Sequence, residues 1–391
     1  MEPLGTITKY YPFIDGKART SIEDYVSGAS SYIDFVDKFS HYAYENEVSE
    51  TLAYIASVHA WRLNSRSAMN RISERYDGYP VIRAWTLNLH KLPYDKMIAE
   101  FESIINAVKH DWMLAEILLL RTWLGRYISP HIETEENIEL IRSHLRERKD
   151  LECFASSFHA LECDWHLLHG NLEQANESFE KAMEIARRYD NQYQIFTLIS
   201  EYTSWSRTFD ARKALRVQEK AYQIALSFEA PQLIADATAD MGRICETLGE
   251  YDLAIRSYQK SMETVEGNPS AFSALSLSRV YCELGDGRRA LDWSDTAFEL
   301  AGPRAFDTPI MLSQRAEALV MVGQIDEAAQ YLDLCHKVSL KSGRKGHLAT
   351  SGLANGYFEL AHNDPLTAIQ TMEPCLDLLQ QIPASIYINR F

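Results

Sequence analysis

The chain has 391 residues, a hydrophobic content of 46%, a charged content of 24% and a formal net charge of −16. This composition is ordinary for a globular protein with a large core, and the negative charge disfavours binding of nucleic acid or of an anionic membrane surface. No apolar run approaches the ~20 residues of a membrane-spanning helix, and the N-terminus lacks the basic start and apolar core of a signal peptide. The six cysteines are widely spread without a CxxC pair, which indicates reduced thiols. We therefore expect a cytoplasmic protein.

The first part of the chain reads as helices of uneven quality. Residues 1–20 carry two prolines and are predicted to be irregular. Apolar residues then recur three and four positions apart from Ile22 to Ala43, which predicts one aromatic, amphipathic helix that caps the array. Thr134 is the predicted N-cap of a later helix, and residues 21–150 as a whole are expected to form degenerate helical hairpins. Further helices are predicted over residues 49–64, 79–90, 94–110 and 112–127.

From about residue 150 onward, small residues recur with a period of 36 to 40 residues. The marker alanines are Ala175, Ala214, Ala254, Ala290, Ala328 and Ala368. Seven positions after each marker stands another small residue: Ala182, Ala221, Ser261, Ala297, Cys335 and Cys375. Five positions before most markers stands a glycine, which suits a turn with positive φ: Gly170, Gly249, Gly285 and Gly323. Because small side chains let two helices cross closely, each period is predicted to be a helical hairpin.

The segment MGRICETLGEYDLAIRSYQKSM, residues 241–262, carries the pattern most clearly. Gly242 allows close approach of a neighbouring helix, Gly249 stands at the turn, and Ala254, Tyr258 and Ser261 form one stripe on the second helix. This pattern resembles the tetratricopeptide repeat (TPR) family, although the period exceeds the family's ~34 residues. The longer period is similar to that of the sensor domain of bacterial maltose-regulon activators.

The resemblance implies an all-α fold, a right-handed superhelical solenoid of antiparallel helix hairpins. It covers residues 151–391, and we expect this array to be continuous with the preceding helices. The repeat near Phe209 lacks the turn glycine, and Pro365 is predicted to be the first residue of the last helix.

One cluster has the spacing of a metal site, since His159, Cys163 and His166 share one face of a predicted helix. Zinc accepts such ligands, but a closed site needs a fourth one that the sequence does not supply. We interpret the three as packed interior groups and predict no metal and no cofactor. The common nucleotide-binding and hydrolase motifs do not occur, so we predict no catalytic residues. The basic segment KSGRKGH, residues 341–347, is interpreted as a solubilising link, with a phosphate or acidic-peptide contact as the alternative.

The resemblance also implies a binding surface, because the first helix of each TPR hairpin lines the concave face. The residues at these positions are Arg207, Asp236, Asp240, Arg243, Glu246, Arg279, Glu283, Glu317 and Asn355. Arg243 and Arg279 are equivalent in successive repeats and could clamp a carboxylate. The alternative is that these arginines form ion pairs along and between helices with the neighbouring acidic residues.

The function that the resemblance implies is binding. The leading hypothesis is a non-catalytic interaction module or scaffold that takes a peptide segment or a partner helix in its concave groove. The alternative is a ligand-sensing regulatory domain of a signalling or transcription-control protein, which would recognise a small molecule. An enzyme with unrecognised chemistry is a third reading that no motif favours. The partner's identity, the oligomeric state and the biological process are left open by the sequence.

Overall fold

The regular elements of the described chain are helical. Neighbouring helices pack against each other, and the part of the protein that is described contains no strand. None of its helices is long and apolar enough to cross a membrane. The structure is a computed structural model, and it describes residues 11, 16–63, 66–87, 94–108, 110–125, 133–146, 148–168, 171–265, 270–302, 308–342 and 345–380.

The chain divides into two compact units. The first unit takes residues within 1–167, 171–198 and 223–233, and the second takes the remainder. Helix α11, Gln192–Phe228, contributes residues to both. The helices that lie wholly or mainly in the first unit are α1 Gly16–Ser27, α2 Tyr32–Glu45, α3 Glu50–Arg62, α4 Arg66–Tyr76, α5 Pro80–Leu87, α6 Tyr94–Ala107, α7 Asp111–Gly125, α8 Glu133–Arg146, α9 Glu152–Leu168 and α10 Leu172–Arg188. Those of the second unit are α12 Pro231–Thr247, α13 Tyr251–Thr264, α14 Ala271–Glu283, α15 Gly287–Ala301, α16 Pro309–Met321, α17 Ile325–Ser342, α18 Lys345–Ala361 and α19 Pro365–Gln380.

Each unit is a stack of helical hairpins. In the second unit every helix from α13 to α18 contacts the next one, and α14, α16 and α18 also contact each other in succession. In the first unit α3 likewise contacts α2, α4 and α5. First helices of successive hairpins therefore meet, as they do in repeat proteins whose units pack only on their neighbours.

The small residues that mark the repeats are buried where the sequence predicts. All six marker alanines are at most 1% exposed, and the six residues seven positions later are at most 4% exposed. Three of the turn glycines have positive φ, namely Gly249 at +73°, Gly285 at +77° and Gly323 at +79°. The fourth, Gly170, lies outside the described residues. The predicted repeat register is therefore confirmed from α10 to α19.

The close approach predicted for Gly242 occurs against the second helix of the same hairpin. A Cβ atom at this position would lie 2.8 Å from Cε1 of Tyr258, which is closer than carbon atoms pack. Ala254 and Tyr258 belong to one core with Leu277 and Val280 of the following hairpin. The small residues thus join helices within a repeat and also between repeats.

Two repeats depart from the glycine turn. Near Phe209 the chain has no loop, and α11 passes through a single non-helical residue, Asp210, with φ −148° and ψ 78°. The Asp210 Oδ1 atom accepts a hydrogen bond from the Lys213 backbone N at 2.9 Å, which caps the second segment of the helix. In the last repeat Asn363 supplies the positive φ of the turn, +59°, and Pro365 begins α19 as predicted.

The aromatic segment near the N-terminus forms two helices, so the prediction of one helix from Ile22 to Ala43 is wrong. Helix α1 ends at Ser27 and α2 begins at Tyr32. Glycine at position 28 disfavours helix, and the Ser31 side chain accepts a hydrogen bond from the Asp34 backbone N at 3.2 Å as the N-cap of α2. Helix α1 begins at Gly16, so the prediction of irregular structure is wrong for residues 16–20. For residues 1–10 and 12–15 that prediction lies outside the described residues.

Helix α4 was not predicted, because its sequence is polar apart from a few apolar residues. Tyr76 at its end holds it to the preceding hairpin, since its hydroxyl donates to the Asn46 carbonyl at 2.6 Å and accepts from the Val48 backbone N at 3.2 Å. The N-cap prediction for Thr134 is wrong, because α8 begins one residue earlier at Glu133. Thr134 therefore lies inside the first turn, beside Glu133 and Glu135, and acidic residues in a first turn are favoured by the helix dipole.

The first unit buries a polar cluster that apolar patterning does not reveal. His59 is fully buried, with Nδ1 2.6 Å from the Tyr32 hydroxyl and Nε2 3.2 Å from the Tyr11 hydroxyl. Burial, followed by the positive charge of Arg62, lowers the pKa of His59 well below its usual range. Burial raises the pKa of Glu116 to about 7, against the opposing influence of a hydrogen bond from Tyr54. These groups are therefore neutral or partly neutral where surface groups would be charged.

We expect Ala254→Leu to destabilise the protein by ~1 to 3 kcal/mol, because the extra carbon atoms must enter a filled helix crossing. Arg256→Leu is the matched control, since it introduces the same leucine side chain at an exposed position of the same helix. Urea unfolding monitored by circular dichroism measures both. Equal stability of Ala254→Leu and the wild type would show that the repeat register is wrong.

The pKa of Glu116 predicts a pH-dependent effect of its replacement. The folded carboxyl has a pKa of about 7 and its ordinary value is 4.5, so wild-type stability falls as pH rises through this interval. Glu116→Gln cannot ionise, and its stability relative to wild type should therefore rise by more than about 1 kcal/mol between pH 4.5 and pH 8. Urea unfolding at several pH values tests this, with Glu135→Gln, which removes an exposed carboxyl, as control. A difference that does not change with pH would contradict the prediction.

Candidate functional site

The second unit contains a cavity of about 390 Å³, referred to below as the groove. Its lining residues come from α11, α12, α14, α16 and α18, with Tyr251 at the start of α13. The helices α12, α14, α16 and α18 are first helices of successive hairpins, as the TPR resemblance implies for a concave surface. The volume falls within the range of ligand sites, roughly 300 to 1,000 Å³.

Six of the nine predicted binding residues line the groove, namely Arg207, Arg243, Glu246, Arg279, Glu283 and Glu317. The other three lie elsewhere. Asp240 contacts Arg243 from outside the lining, and the Asn355 side-chain amide donates to the Ser351 carbonyl of its own helix at 2.8 Å. Asp236 is exposed on α12. The predicted first-helix positions thus include the six charged residues of the groove lining, but not its hydroxyl-bearing residues such as Thr247 and Ser313.

A largely buried ion pair lies in the groove lining, with the side chains of Arg279 and Glu246 18% and 17% exposed. Arg279 of α14 donates to Glu246 of α12 through two nitrogens, with Nε 2.5 Å from Oε1 and Nη2 2.8 Å from Oε2. The Tyr258 hydroxyl donates to the same carboxylate at 2.9 Å. Burial would raise the pKa of Glu246, but the charge and hydrogen bonds of Arg279 outweigh burial and hold this pKa below its usual range. Two-point contact of this kind is the strongest geometry for an arginine and a carboxylate.

Arg243 also has an acidic partner within the protein. It pairs with Asp240 one turn earlier on α12, and its guanidinium carbon lies 5.1 Å from the ring centre of Phe272. The alternative that the sequence left open, ion pairs along and between helices, is therefore what the structure contains for Arg243 and Arg279. Neither guanidinium is an unpaired clamp.

Arg207 differs from these two arginines. Its side chain lies in the groove lining and the residue is 8% exposed. Its Nη1 atom donates to the Thr247 hydroxyl at 2.8 Å, while its Nε is buried without a hydrogen-bond acceptor. Burial, together with the positive charges of Arg243 and Arg279, lowers the pKa of Arg207 to about 10. It still carries its charge at neutral pH.

The groove also has an apolar wall, which sequence reasoning missed. Phe272 and Tyr357 line it while remaining 42% and 46% exposed, and Leu275 and Leu353 lie beside them in the lining. Phe272, Leu275 and Arg279 are spaced i, i+3 and i+7 on α14, so they share one face with a predicted polar residue. That shared face is the signal by which these residues could have been found.

The histidine and cysteine cluster of α9 takes part in packing and hydrogen bonding. His159 Nδ1 lies 2.6 Å from Glu162 Oε2, and Arg142 Nη2 donates to the other oxygen of that carboxylate at 2.8 Å. Cys163 is buried, and all six cysteines are free thiols. No group of histidine, cysteine and acidic residues among the described positions has the arrangement to hold a metal ion. In the basic segment, Lys341 is exposed, and Arg344 lies outside the described residues.

We expect Glu246→Gln to destabilise the second unit by about 3 kcal/mol, because loss of one partner leaves a buried arginine without its counter-charge. The double variant Glu246→Gln with Arg279→Met should recover part of this loss. The control is Asp333→Asn, which breaks an exposed pair with Lys337 and should change stability by no more than about 0.5 kcal/mol. Urea unfolding measures all three, and a Glu246→Gln effect as small as the control's would contradict the prediction.

No protein-family model matches the chain, and no curated protein matches its sequence. Solved structures resemble it in fold. A Rap protein complexed with competence and sporulation factor aligns with 94% of this chain and 100% of its own, at 14% identity and a TM-score of 0.57. A signal-transduction ATPase with a tetratricopeptide repeat sensor, from Pyrococcus horikoshii, aligns with 86% of this chain and 55% of its own, at 15% identity and a TM-score of 0.53. Aspartyl phosphate phosphatase F from Bacillus subtilis aligns with 89% of this chain and 96% of its own, at 13% identity and a TM-score of 0.50. With the confirmed repeat register, these likenesses identify the fold as a TPR-type all-α solenoid.

Proposed function

We propose that the protein is a non-catalytic interaction module and that its groove binds a polypeptide segment. The observation that carries this proposal is the pairing of two half-exposed aromatic side chains, Phe272 and Tyr357, with six charged residues in one cavity, among which Arg207 is buried. Exposed aromatic residues beside fixed polar groups are typical of the centres of protein interfaces. A polypeptide offers apolar side chains to Phe272 and Tyr357, and backbone amides to the charged groups of the lining.

The extent of the lining favours a polypeptide over a compact metabolite. The lining residues come from successive first helices, from α12 to α18, and from α11. Packed helices lie about 8 to 10 Å apart, so the lined surface extends over several such distances. An extended peptide of about 3.3 Å per residue covers this length with roughly ten residues.

Catalysis has less support than binding. The lining of the groove contains no histidine and no cysteine among the described residues, and its buried carboxylate, Glu246, is held in an ion pair. The likeness to a phosphatase is one of fold at 13% identity. The Rap structure was solved as a complex with competence and sporulation factor, which supports the use of this fold for holding a partner. No contact among the described residues favours a ligand-sensing regulatory role.

We expect the double variant Phe272→Ala with Tyr357→Ala to lose at least about tenfold in affinity for captured peptides, because truncated aromatic anchors commonly cost this much. The full chain is immobilised and exposed to a pool of random ten-residue peptides, and the retained peptides are identified by mass spectrometry. Selected peptides are then titrated against wild type and variant.

The control is Leu366→Ala with Ile369→Ala, which removes two exposed apolar side chains of α19 outside the groove lining. This variant should bind as the wild type does. Loss of binding in the control but not in the groove variant would place the surface elsewhere. Retention of no peptide, combined with thermal stabilisation by a metabolite collection, would favour the small-molecule alternative.

A further inference from the structure

We propose that Arg207 is the anchor for a carboxylate group of the bound polypeptide. This inference rests on the proposed function, since it names the chemistry that one end of the groove recognises. It replaces the prediction of a clamp made of Arg243 and Arg279, because these two arginines form ion pairs with acidic residues of the protein itself. Of the three arginines that line the groove, Arg207 is the one without an acidic partner among the described residues.

The first step of the argument is the hydrogen bonding of the guanidinium. Its one hydrogen bond to the described protein is the 2.8 Å contact from Nη1 to the Thr247 hydroxyl. Nε is buried and has no acceptor. Burying a charge without a counter-charge is costly, so the protein keeps a strained electrostatic arrangement at this point of the groove. An anion supplied by a ligand relieves it.

The second step is the surrounding charge. Arg207 lies close enough to Arg243 and Arg279 for their positive charges to oppose its own, and Glu246, whose negative charge also acts on Arg207, is hydrogen-bonded to Arg279. The groove therefore has a local excess of positive charge around Arg207. In a site shielded from water this excess attracts an anion more strongly than surface charges do.

The third step separates a carboxylate from a phosphate. The proposed occupant of the groove is a polypeptide, and an unmodified polypeptide carries carboxylates and no phosphate. A planar guanidinium offers paired N–H donors that match the two oxygens of one carboxylate. The carboxylate could belong to the C-terminus of the polypeptide or to an Asp or Glu side chain, and the experiment distinguishes these.

The test uses three pools of random ten-residue peptides: one without Asp and Glu and with an amidated C-terminus, one without Asp and Glu and with a free C-terminus, and one amidated pool that includes Asp and Glu. Each is titrated against the full-length wild type, Arg207→Gln and Arg256→Gln, which removes an exposed arginine of α13. We expect wild type and Arg256→Gln to bind at least one carboxylate-bearing pool about tenfold more tightly than the neutral pool. Arg207→Gln should bind all three pools equally, at the affinity of the neutral pool.

Thermal unfolding supplies a readout independent of peptide binding. Arg207→Gln removes a buried charge that lacks a counter-charge, so its melting temperature should equal or exceed that of wild type. A clear decrease would make Arg207 a structural residue and overturn the proposal. An unchanged carboxylate preference in a folded Arg207→Gln protein would also overturn it.

The remaining outcomes separate this inference from the proposed function. If wild type binds all pools equally and the Phe272 and Tyr357 variant binds none, the groove binds polypeptides and the carboxylate anchor is wrong. If wild type binds no pool, both are wrong. Competition by inorganic phosphate at concentrations where acetate has no effect would reassign the site to phosphate and reject the carboxylate.

Discussion

The close crossing of helices at small residues is the constraint on which the rest of the second unit depends. Gly242 admits the ring of Tyr258 against α12, and Ala254 lies fully buried one turn before it. The same Tyr258 carries its hydroxyl to Glu246 at 2.9 Å. A side chain at position 242 would displace the ring and, with it, a hydrogen bond of the buried ion pair. The packing of the hairpin and the position of the groove charges therefore both depend on the same small residue, Gly242.

Burial then determines what the charges can do. Glu246 and Arg279 lie on successive first helices and meet with two short contacts, so their attraction acts in a poorly hydrated place, where it is large. Such a pair adds little net stability, because both groups lose water. Its contribution is to the relative position of the two helices, since it joins α12 to α14 at one defined pair of residues on the groove side. Arg207, with a hydroxyl as its neighbour, has no comparable role in holding helices together.

The sequence was sufficient for the repeats and insufficient for the interactions between them. Marker residues such as Ala254 and Gly249 repeat with a period, and a period is visible without knowledge of tertiary structure. The partner of Arg279 is 33 residues away, as Glu246, and the choice among Asp240, Glu246 and Glu283 depends on how one helix is rotated against the next. Phe272 was missed for a related reason, because a single apolar residue on a helix predicts a core position as readily as a groove position. In the first unit, the break between α1 and α2 depends on local capping that competes with a continuous apolar stripe.

The first helices carry two demands at once, and this limits where specificity can reside. Helix α14 packs against α13, α15 and α16, and its serines at 273, 276 and 278 are fully buried. Ser278 satisfies its hydroxyl by donating to the Ala290 carbonyl at 2.8 Å, which lets a polar residue take a small-residue position. Only one stripe of the helix remains for the groove, occupied by Phe272, Leu275, Arg279 and Glu283. Leu275 of this stripe also belongs to a core cluster, and Arg279 is held by Glu246. Phe272 and Glu283 are therefore the positions of α14 where a substitution can change what the groove binds with the least effect on packing.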